Sequence, residues 1–401
     1  MAKKKKKENK KQLFIYIVTF LVIVAVVLVV FYVSNGYKFD FGFLEKESES
    51  DSVASSAEIG EVDSIRDLKV YFLDIGQGDC IYIELPDGKN MLIDTGETRN
   101  AGKAVIDKHL TNDKGEKVKI DYCVATHSDS DHIGLMPYVY KEYDVLKSYR
   151  PYVYSENKLA PNFPSGLNEG KKIKVSTDIY YNYIKSVYDE QTPWEFFKDD
   201  SDFTNRFYDK NNEEYEYTVD FQMPYAATLN GYNYFTTPND FSAIIMLEYA
   251  DRKVLFTGDI EYETGTKGAE QSYIREFVDY SYMVDCDVLK VAHHGSDSST
   301  SEEFLKLVKP EYSIISCGLG NRHKHPLKST LNNLTSAYSK IYRTDLQGTI
   351  VLTINSKGEM KFDVQTHKYD DMLFEDGDTI KAYEKEHNDE IDKFKKGLDA
   401  A

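Results

Sequence analysis

Cysteine is rare in this chain of 401 residues. Its four copies, Cys80, Cys123, Cys286 and Cys317, sit in or beside apolar strand-like runs with no paired spacing. That argues against a disulfide framework and makes each a small buried apolar residue. Basic charge is also short, with 49 Lys and Arg against 67 Asp and Glu, for a formal net charge of −18. The first eleven residues hold seven lysines and one glutamate, a local +6, so residues 12–401 together carry −24. An acidic body of this kind repels polyanions unless a local basic patch compensates, because neutralisation of phosphates by Lys and Arg dominates nucleic-acid affinity. Nucleic acid is therefore a disfavoured partner.

Long uncharged apolar runs are absent but for one. Residues 13–33 are 21 positions without a charge, rich in Val, Ile, Leu and Phe, enough to cross a hydrocarbon core of about 30 Å at about 1.5 Å per residue. A single run leaves no room for a multi-helix channel. The lysines of residues 1–12 make that stretch a basic cytoplasmic tail by the positive-inside tendency. A cleaved signal peptide would have a shorter apolar core and a small-x-small site close behind it. The expectation is a single-pass transmembrane helix at 13–33, placing the protein at the cell membrane with its N-terminus cytoplasmic and its main body extracellular.

Apolar periodicity stops after the run, and residues 34–68, with Glu45-Lys46-Glu47-Ser48-Glu49-Ser50-Asp51-Ser52, read as a flexible acidic and serine-rich linker. From residue 69 apolar runs bounded by turn residues predict strands at 70–73, 80–85, 90–93, 120–125, 243–249, 253–256, 287–292, 312–316 and 348–354. Helical patterns fall at 101–110, 269–278, 301–308 and 330–338. The body is taken as 69–356, and 357–401 as a charged C-terminal extension. Sixteen of the 32 tyrosines and the one tryptophan, Trp194, lie in 138–235, which reads as an insertion forming a lid or wall of a cleft. Its aromatic faces could hold a quaternary ammonium, though ordinary aromatic packing is the favoured reading.

The densest chemistry is Thr126-His127-Ser128-Asp129-Ser130-Asp131-His132-Ile133-Gly134, which follows the apolar run Ile120-Asp121-Tyr122-Cys123-Val124-Ala125. Imidazoles suit zinc and carboxylates suit zinc or harder divalent ions, and alternating residues on a tight loop can point into one cavity. The bland alternative is a solvated turn with Asp129 or Asp131 capping the next helix. Asp259 after Gly258, His293-His294 after an apolar run, and His325 before Pro326 extend the set. If the backbone at 293–294 is extended, adjacent side chains diverge and one histidine alone faces the site.

The loop resembles the HxHxDH signature of metallo-β-lactamase-fold hydrolases, in the variant with Asp in place of the second His. Other stretches agree: Val70-Tyr71-Phe72-Leu73-Asp74-Ile75-Gly76-Gln77-Gly78-Asp79-Cys80, Leu92-Ile93-Asp94-Thr95-Gly96, Val254-Leu255-Phe256-Thr257-Gly258-Asp259, Val288-Leu289-Lys290-Val291-Ala292-His293-His294-Gly295-Ser296 and His325-Pro326. They run in the family's order over about 69–355, and they are similar to the branch holding the soluble domain of the competence DNA-channel protein ComEC and the phosphorylcholine esterases. The resemblance implies an α/β four-layer αββα sandwich and two divalent ions, zinc first and manganese as the alternative. It further implies metal ligands His127, Asp129, Asp131, His132, Asp259, His294 and His325, with Asp259 and a hydroxide bridging the ions and Asp94 as a support carboxylate. Asp131 and His293 are the expected catalytic groups, His293 as outer contact or proton donor, with the reverse order of His293 and His294 open. Asn239, Ser242 and Ser296 are expected at the substrate.

The leading expectation is a phosphodiesterase acting on a small-molecule or cell-envelope phosphoester. A ComEC-like nuclease acting on DNA and a non-enzymatic metal-containing surface binding protein are the alternatives.

Overall fold

Alternation of apolar and polar residues decides where the strands go. In Leu68–Phe72 the side chains of Leu68, Val70 and Phe72 are buried while Lys69 and Tyr71 are partly exposed, the period of two that a strand covering a core requires. The computed structural model describes residues 60–61, 65–151, 153–155, 174–175, 177–197, 202–222, 237–262 and 268–387. They form a mixed α/β fold with two eight-stranded sheets.

In order, one sheet runs Met360–Val364, Ile350–Ile354, Leu68–Phe72, Ile81–Glu84, Asn90–Ile93, Tyr122–Val124, Ser148–Arg150 and Trp194–Phe196. The other runs Gly60–Glu61, Phe203–Tyr208, Glu214–Phe221, Ile245–Tyr249, Arg252–Phe256, Val288–Lys290, Tyr312–Ile315 and Lys340–Arg343. Alternate residues of both sheets, among them Val70, Phe72, Ile93, Val254, Phe256, Val288 and Ile314, share one apolar cluster. The intervening residues Tyr82, Leu92, Cys123, Leu255, Leu289 and Ile315 belong to a second cluster. Residues of the helices Asn100–His109, Ala269–Phe277, Glu302–Val308 and Lys328–Ser336 complete that cluster. All four cysteines are buried and unpaired.

Pairing direction places the chemistry. Asn90–Ile93, Tyr122–Val124 and Ser148–Arg150 are parallel neighbours in one sheet, and Arg252–Phe256, Val288–Lys290, Tyr312–Ile315 and Lys340–Arg343 are parallel neighbours in the other. Parallel strands release their following loops at one edge, where α/β sheets bind ligands. The loops carrying Asp94, His127 to His132, Asp259, His293 and His294 therefore emerge side by side.

Four strands of 138–235 are built into the sheets: Ser148–Arg150 and Trp194–Phe196 continue one sheet, and Phe203–Tyr208 with Glu214–Phe221 continue the other. Its described tyrosines include Tyr140, Tyr149, Tyr180, Tyr183 and Tyr217, all buried in the core clusters. The faces of Tyr180, Trp194 and Phe196 already surround a cation of this chain, the Arg150 guanidinium, at 5.9, 5.4 and 4.7 Å from the ring centroids. Beyond residue 356, Met360–Val364 pairs antiparallel with Ile350–Ile354 and Gly377–Glu386 is a helix capped by Asp376.

The membrane placement is corrected. Among the described residues no helix is long and apolar enough to cross a membrane, and the expected span 13–33 lies outside them, as do the tail 1–12 and most of the linker 34–68.

Candidate metal centre

The centre begins with Asp94. It follows the strand Asn90–Ile93, is fully buried and has a φ of +56°, a conformation aspartate tolerates better than most side chains. Its Oδ1 accepts from the Thr126 backbone N–H at 2.8 Å, and its Oδ2 accepts from Thr126 Oγ1 at 2.6 Å and stands 2.8 Å from His132 Nδ1. The Thr126 hydroxyl spends its one proton on Asp94, so at 3.1 Å it must accept from His127 Nδ1–H. That leaves the His127 Nε2 lone pair bare. His132 Nδ1–H donates to Asp94, and His294 Nδ1 lies 2.8 Å from the Ser316 carbonyl, which can only accept. Three imidazoles are thus oriented from behind with Nε2 forward, the arrangement of metal-binding histidines.

The Nε2 atoms converge on Asp259. Its Oδ2 is 3.2 Å from His132 Nε2, 3.4 Å from His294 Nε2, 3.8 Å from His293 Nε2 and 3.9 Å from His127 Nε2. The Asp259 backbone N–H is anchored on Ser242 Oγ at 3.0 Å. Gly258, at φ +50°, permits the approach, since a Cβ there would meet Ser242 Cβ at 2.8 Å. A Cβ at Gly78 would lie 2.0 Å from the Asp131 carbonyl oxygen, so glycine is also required where the 76–79 turn crosses the metal-capable loop. Among the described residues, Asp79, His132, Asp259 and His294 offer ligand atoms within 4.8 Å of one another, all buried, a group that could hold a metal ion.

The electrostatics fit a cation. Burial, then the neighbouring His132 charge, hold the His127 imidazole down to about 4, and burial followed by the His294 charge hold His325 down to about 3. Both are neutral near pH 7 with lone pairs free. Burial alone would lower His132 and His294, yet the Asp259 carboxylate and its neighbours outweigh it and hold both well above the usual histidine range. Asp259 is held well below the carboxylate range against its own burial by those same histidines. Burial pushes Asp129 up to about 6. The carboxylates thus demand positive charge at the Nε2 atoms, which protons or metal ions can meet. Four buried atoms of the centre, Asp79 Oδ1, His127 Nε2, Asp259 Oδ1 and His325 Nδ1, have no hydrogen-bond partner, and such orphans suit ligands of an ion where they face it.

The other expected residues fall around this core. Asp131 Oδ2 is 3.4 Å from His294 Nε2. Asp129 precedes the short helix Ser130–Ile133 with no side-chain cap bond, so the helix-cap alternative does not hold for it. The buried His325 ring lies 5.5 Å from that of His293 and 6.3 Å from that of His294. Asn239 is buried with its Oδ1 unpartnered, Ser242 holds Asp259, and Ser296 Oγ contacts Ser298 Oγ at 2.9 Å.

Extended backbone at the paired histidines is a correction. His293 and His294 both take left-handed φ, +48° and +56°, in the turn Ala292–Gly295, so the divergence of alternate strand positions does not apply. Both rings reach Asp259, and they differ in depth: His294 is buried, whereas the His293 side chain is 23% exposed and its Nδ1 pairs with Glu261 Oε1 at 2.9 Å.

Sequence reasoning passed over three residues. Glu261 carries no signal beyond its place after Asp259. Asp79 looks like one more turn residue after two glycines. Lys290 did leave a trace, a charge inside an apolar strand run, which is rare unless the charge is paired.

An α/β fold of two sheets with a buried Asp and His group at one edge is the frame of a candidate metal site. The chain belongs to the metallo-beta-lactamase superfamily, whose family model matches residues 73–319; its members are in general metal-dependent hydrolases. Among its relatives are ComE operon protein 3 of Bacillus subtilis and Recombination protein 2 of Haemophilus influenzae. The first is 28% identical over 305 residues, 73% of this chain and 32% of that protein. The second is 25% identical over 279 residues, 69% of this chain and 28% of that protein. Competence protein ComA of Neisseria gonorrhoeae is 31% identical over 131 residues, 33% of this chain and 18% of that protein. The chain thus spans about a third or less of the curated relatives it matches. Similar solved structures include the metallo-beta-lactamase fold protein YhfI from Bacillus subtilis, with a TM-score of 0.39 and 11% identity over 74% of this chain and 100% of that one. Zn(2+)-bound PqqB from Methylobacterium extorquens has a TM-score of 0.35 and 9% identity over 68% of this chain and 85% of that one.

Proposed function

We propose that the protein is a dinuclear metal-dependent phosphodiesterase. The supporting observation is the single Asp259 oxygen standing within 4 Å of the Nε2 atoms of four histidines, the surroundings of a carboxylate that bridges cations. The proposed ligands are His127, Asp129, His294 and Asp259 for one ion, and Asp131, His132, His325 and Asp259 for the other. A set this rich in carboxylates accepts manganese as well as zinc, and zinc is preferred. Bound there, two divalent ions would supply a nucleophile at neutral pH and positive charge for the oxygens of the reacting phosphorus.

The chain's own groups then divide the remaining work. His293, partly open to solvent and held through Nδ1 by Glu261, can keep a proton on Nε2 and give it to the departing alkoxide. Ser242 fixes Asp259, and Asp94 fixes His132 and, through Thr126, His127.

A cavity of about 520 Å³ lies between the turn before Asp79 and the loop before His325, walled by Gly76 and Gln77 and by Gly318 to Arg322, with none of the proposed ligands in its wall. Arg99 also lines it. It has room for the alcohol arm of an extended diester. Arg322→Ala is expected to raise KM for a short single-stranded DNA oligonucleotide about fivefold, the effect of losing about 1 kcal/mol of exposed ionic contact. The kcat for bis-p-nitrophenyl phosphate, too small to fill the cavity, stays unchanged.

DNA is the second reading, favoured by similarity to competence proteins and opposed by the net charge of −18. The deciding assay follows bis-p-nitrophenyl phosphate with purified protein and added Zn²⁺ or Mn²⁺. Metal-dependent turnover supports the reading, and single-stranded DNA against phosphocholine esters then sorts the substrate. Full metal occupancy without turnover of any diester would reject it, and a folded protein that takes up no metal would favour a binding role.

A further inference from the structure

Lys290 ends the strand Val288–Lys290 with no exposed surface, and Asp79 is 1% exposed. Their contact is short, 2.7 Å from Nζ to Asp79 Oδ2, and Nζ donates again to the Val291 carbonyl at 2.9 Å. Burying two charges costs several kcal/mol per ion before their attraction is counted, so a buried pair beside a metal centre calls for a reason. Proximity and a buried Oδ1 without a hydrogen-bond partner put Asp79 in the metal-capable group. The direction of approach does not. Asp79 Oδ1 lies 3.4 Å from His294 Nδ1, and its Oδ2 lies 4.0 Å from His132 Nδ1. Those nitrogens already face Ser316 O and Asp94 Oδ2. Asp259 approaches the same two rings from the Nε2 side. Asp79 therefore stands behind the imidazoles, and Asp259 in front.

We propose that Lys290 is a positioning residue that holds Asp79 on the Nδ1 side of His132 and His294, keeping this carboxylate out of the ligand set and making it the fixed anionic backing of both rings. The Asp79 backbone supports the placement, its N–H donating to the Asp131 carbonyl at 3.2 Å and its carbonyl accepting from Gly96 N–H at 2.8 Å. Strands from both sheets are thereby tied to one side chain between the histidines. The inference rests on the metal centre described above and not on the identity of the substrate.

The test reads metal, not turnover. Full-length wild type, Lys290→Met, Asp79→Asn and the double variant are stripped with chelator and titrated with Zn²⁺, with ions per chain read by mass spectrometry and affinity by chelator competition. Each variant is expected to keep the wild-type number of ions and to bind them about 10- to 100-fold more weakly, the usual effect of losing a partner behind metal-bound histidines. The double variant should match the single ones, because the two groups act as a unit. Loss of one ion per chain in Asp79→Asn would make Asp79 a ligand and overturn the proposal. Wild-type affinity in Lys290→Met, with only a lower melting temperature, would reduce Lys290 to packing and overturn it equally. Should Lys290→Met fail to fold, the ion count and affinity of Asp79→Asn still decide. Diester turnover enters none of these readouts, so a failed phosphodiesterase assay leaves them intact.

Discussion

Asp259→Ala is expected to abolish metal-dependent turnover of bis-p-nitrophenyl phosphate and to lower the metal content of the purified protein. No other side chain in the centre is approached by four imidazole nitrogens. Removing it takes away the carboxylate proposed to bridge both ions and leaves His132 and His294 without the anion facing their Nε2 atoms. The loss should exceed the roughly 10- to 100-fold typical of partners behind the ligands. Folding should survive: Asp259 sits in a turn after the strand Arg252–Phe256, and its desolvated charge is held by those histidines rather than by the apolar core. Circular dichroism and metal analysis on one sample separate the outcomes. A folded variant with wild-type metal content and wild-type turnover would refute the bridging role. Asp259→Asn sharpens the result, since it keeps the shape and one acceptor oxygen but removes the charge; it should fall nearer to alanine than to wild type.

Why so much of this centre can be read from the chain follows from its topology. Parallel strands put His127 to His132, Asp259 and the 293–294 pair directly after apolar runs, so each group is announced by the strand before it. Backbone that departs from regular geometry is harder to read. Nothing in Ala292-His293-His294-Gly295 announces two non-glycine residues at positive φ, a strain of about 1–3 kcal/mol each that persists only where tertiary contacts impose it. Long-range pairing is hidden in the same way. Asp79 and Lys290 are 211 positions apart in the numbering and meet only because both sheets end at one edge. The aromatic stretch 138–235 is ambiguous for a different reason: composition draws attention to tyrosine, but it does not tell a cleft wall from a sheet strand whose rings fill the core. Tyr217 and Tyr149 do the latter.

Arg343→Met should be the most destabilising single change outside the centre. Arg343 closes the strand Lys340–Arg343 with no exposed surface, and its Nε and Nη2 grip Asp345 Oδ1 and Oδ2 at 3.0 and 2.7 Å. Nη1 donates to the carbonyls of Leu373, at 3.2 Å, and Glu375. Methionine fills similar space but leaves Asp345 a buried carboxylate without its cation, at a cost of about 3–5 kcal/mol. The melting temperature should drop on the order of 10 °C. The same guanidinium steadies the segment leading into the helix Gly377–Glu386, which lies against the His325 loop. Gly377 N–H donates to the Pro326 carbonyl at 3.0 Å, a Cβ at Gly377 would meet the Lys324 carbonyl oxygen at 2.2 Å, and Lys324 Nζ pairs with Asp378 at 3.0 Å. Two effects are therefore superimposed, an unpaired charge and a loosened buttress behind a proposed ligand. Combining Arg343→Met with Asp345→Leu removes the stranded charge and should restore most of the melting temperature, since replacing a whole buried pair by apolar residues is often neutral. It leaves the carbonyls of Leu373 and Glu375 without their donor, so Zn²⁺ should stay more weakly bound than in wild type. If affinity recovers fully along with stability, the C-terminal helix does not support the His325 loop and the tether is structural alone.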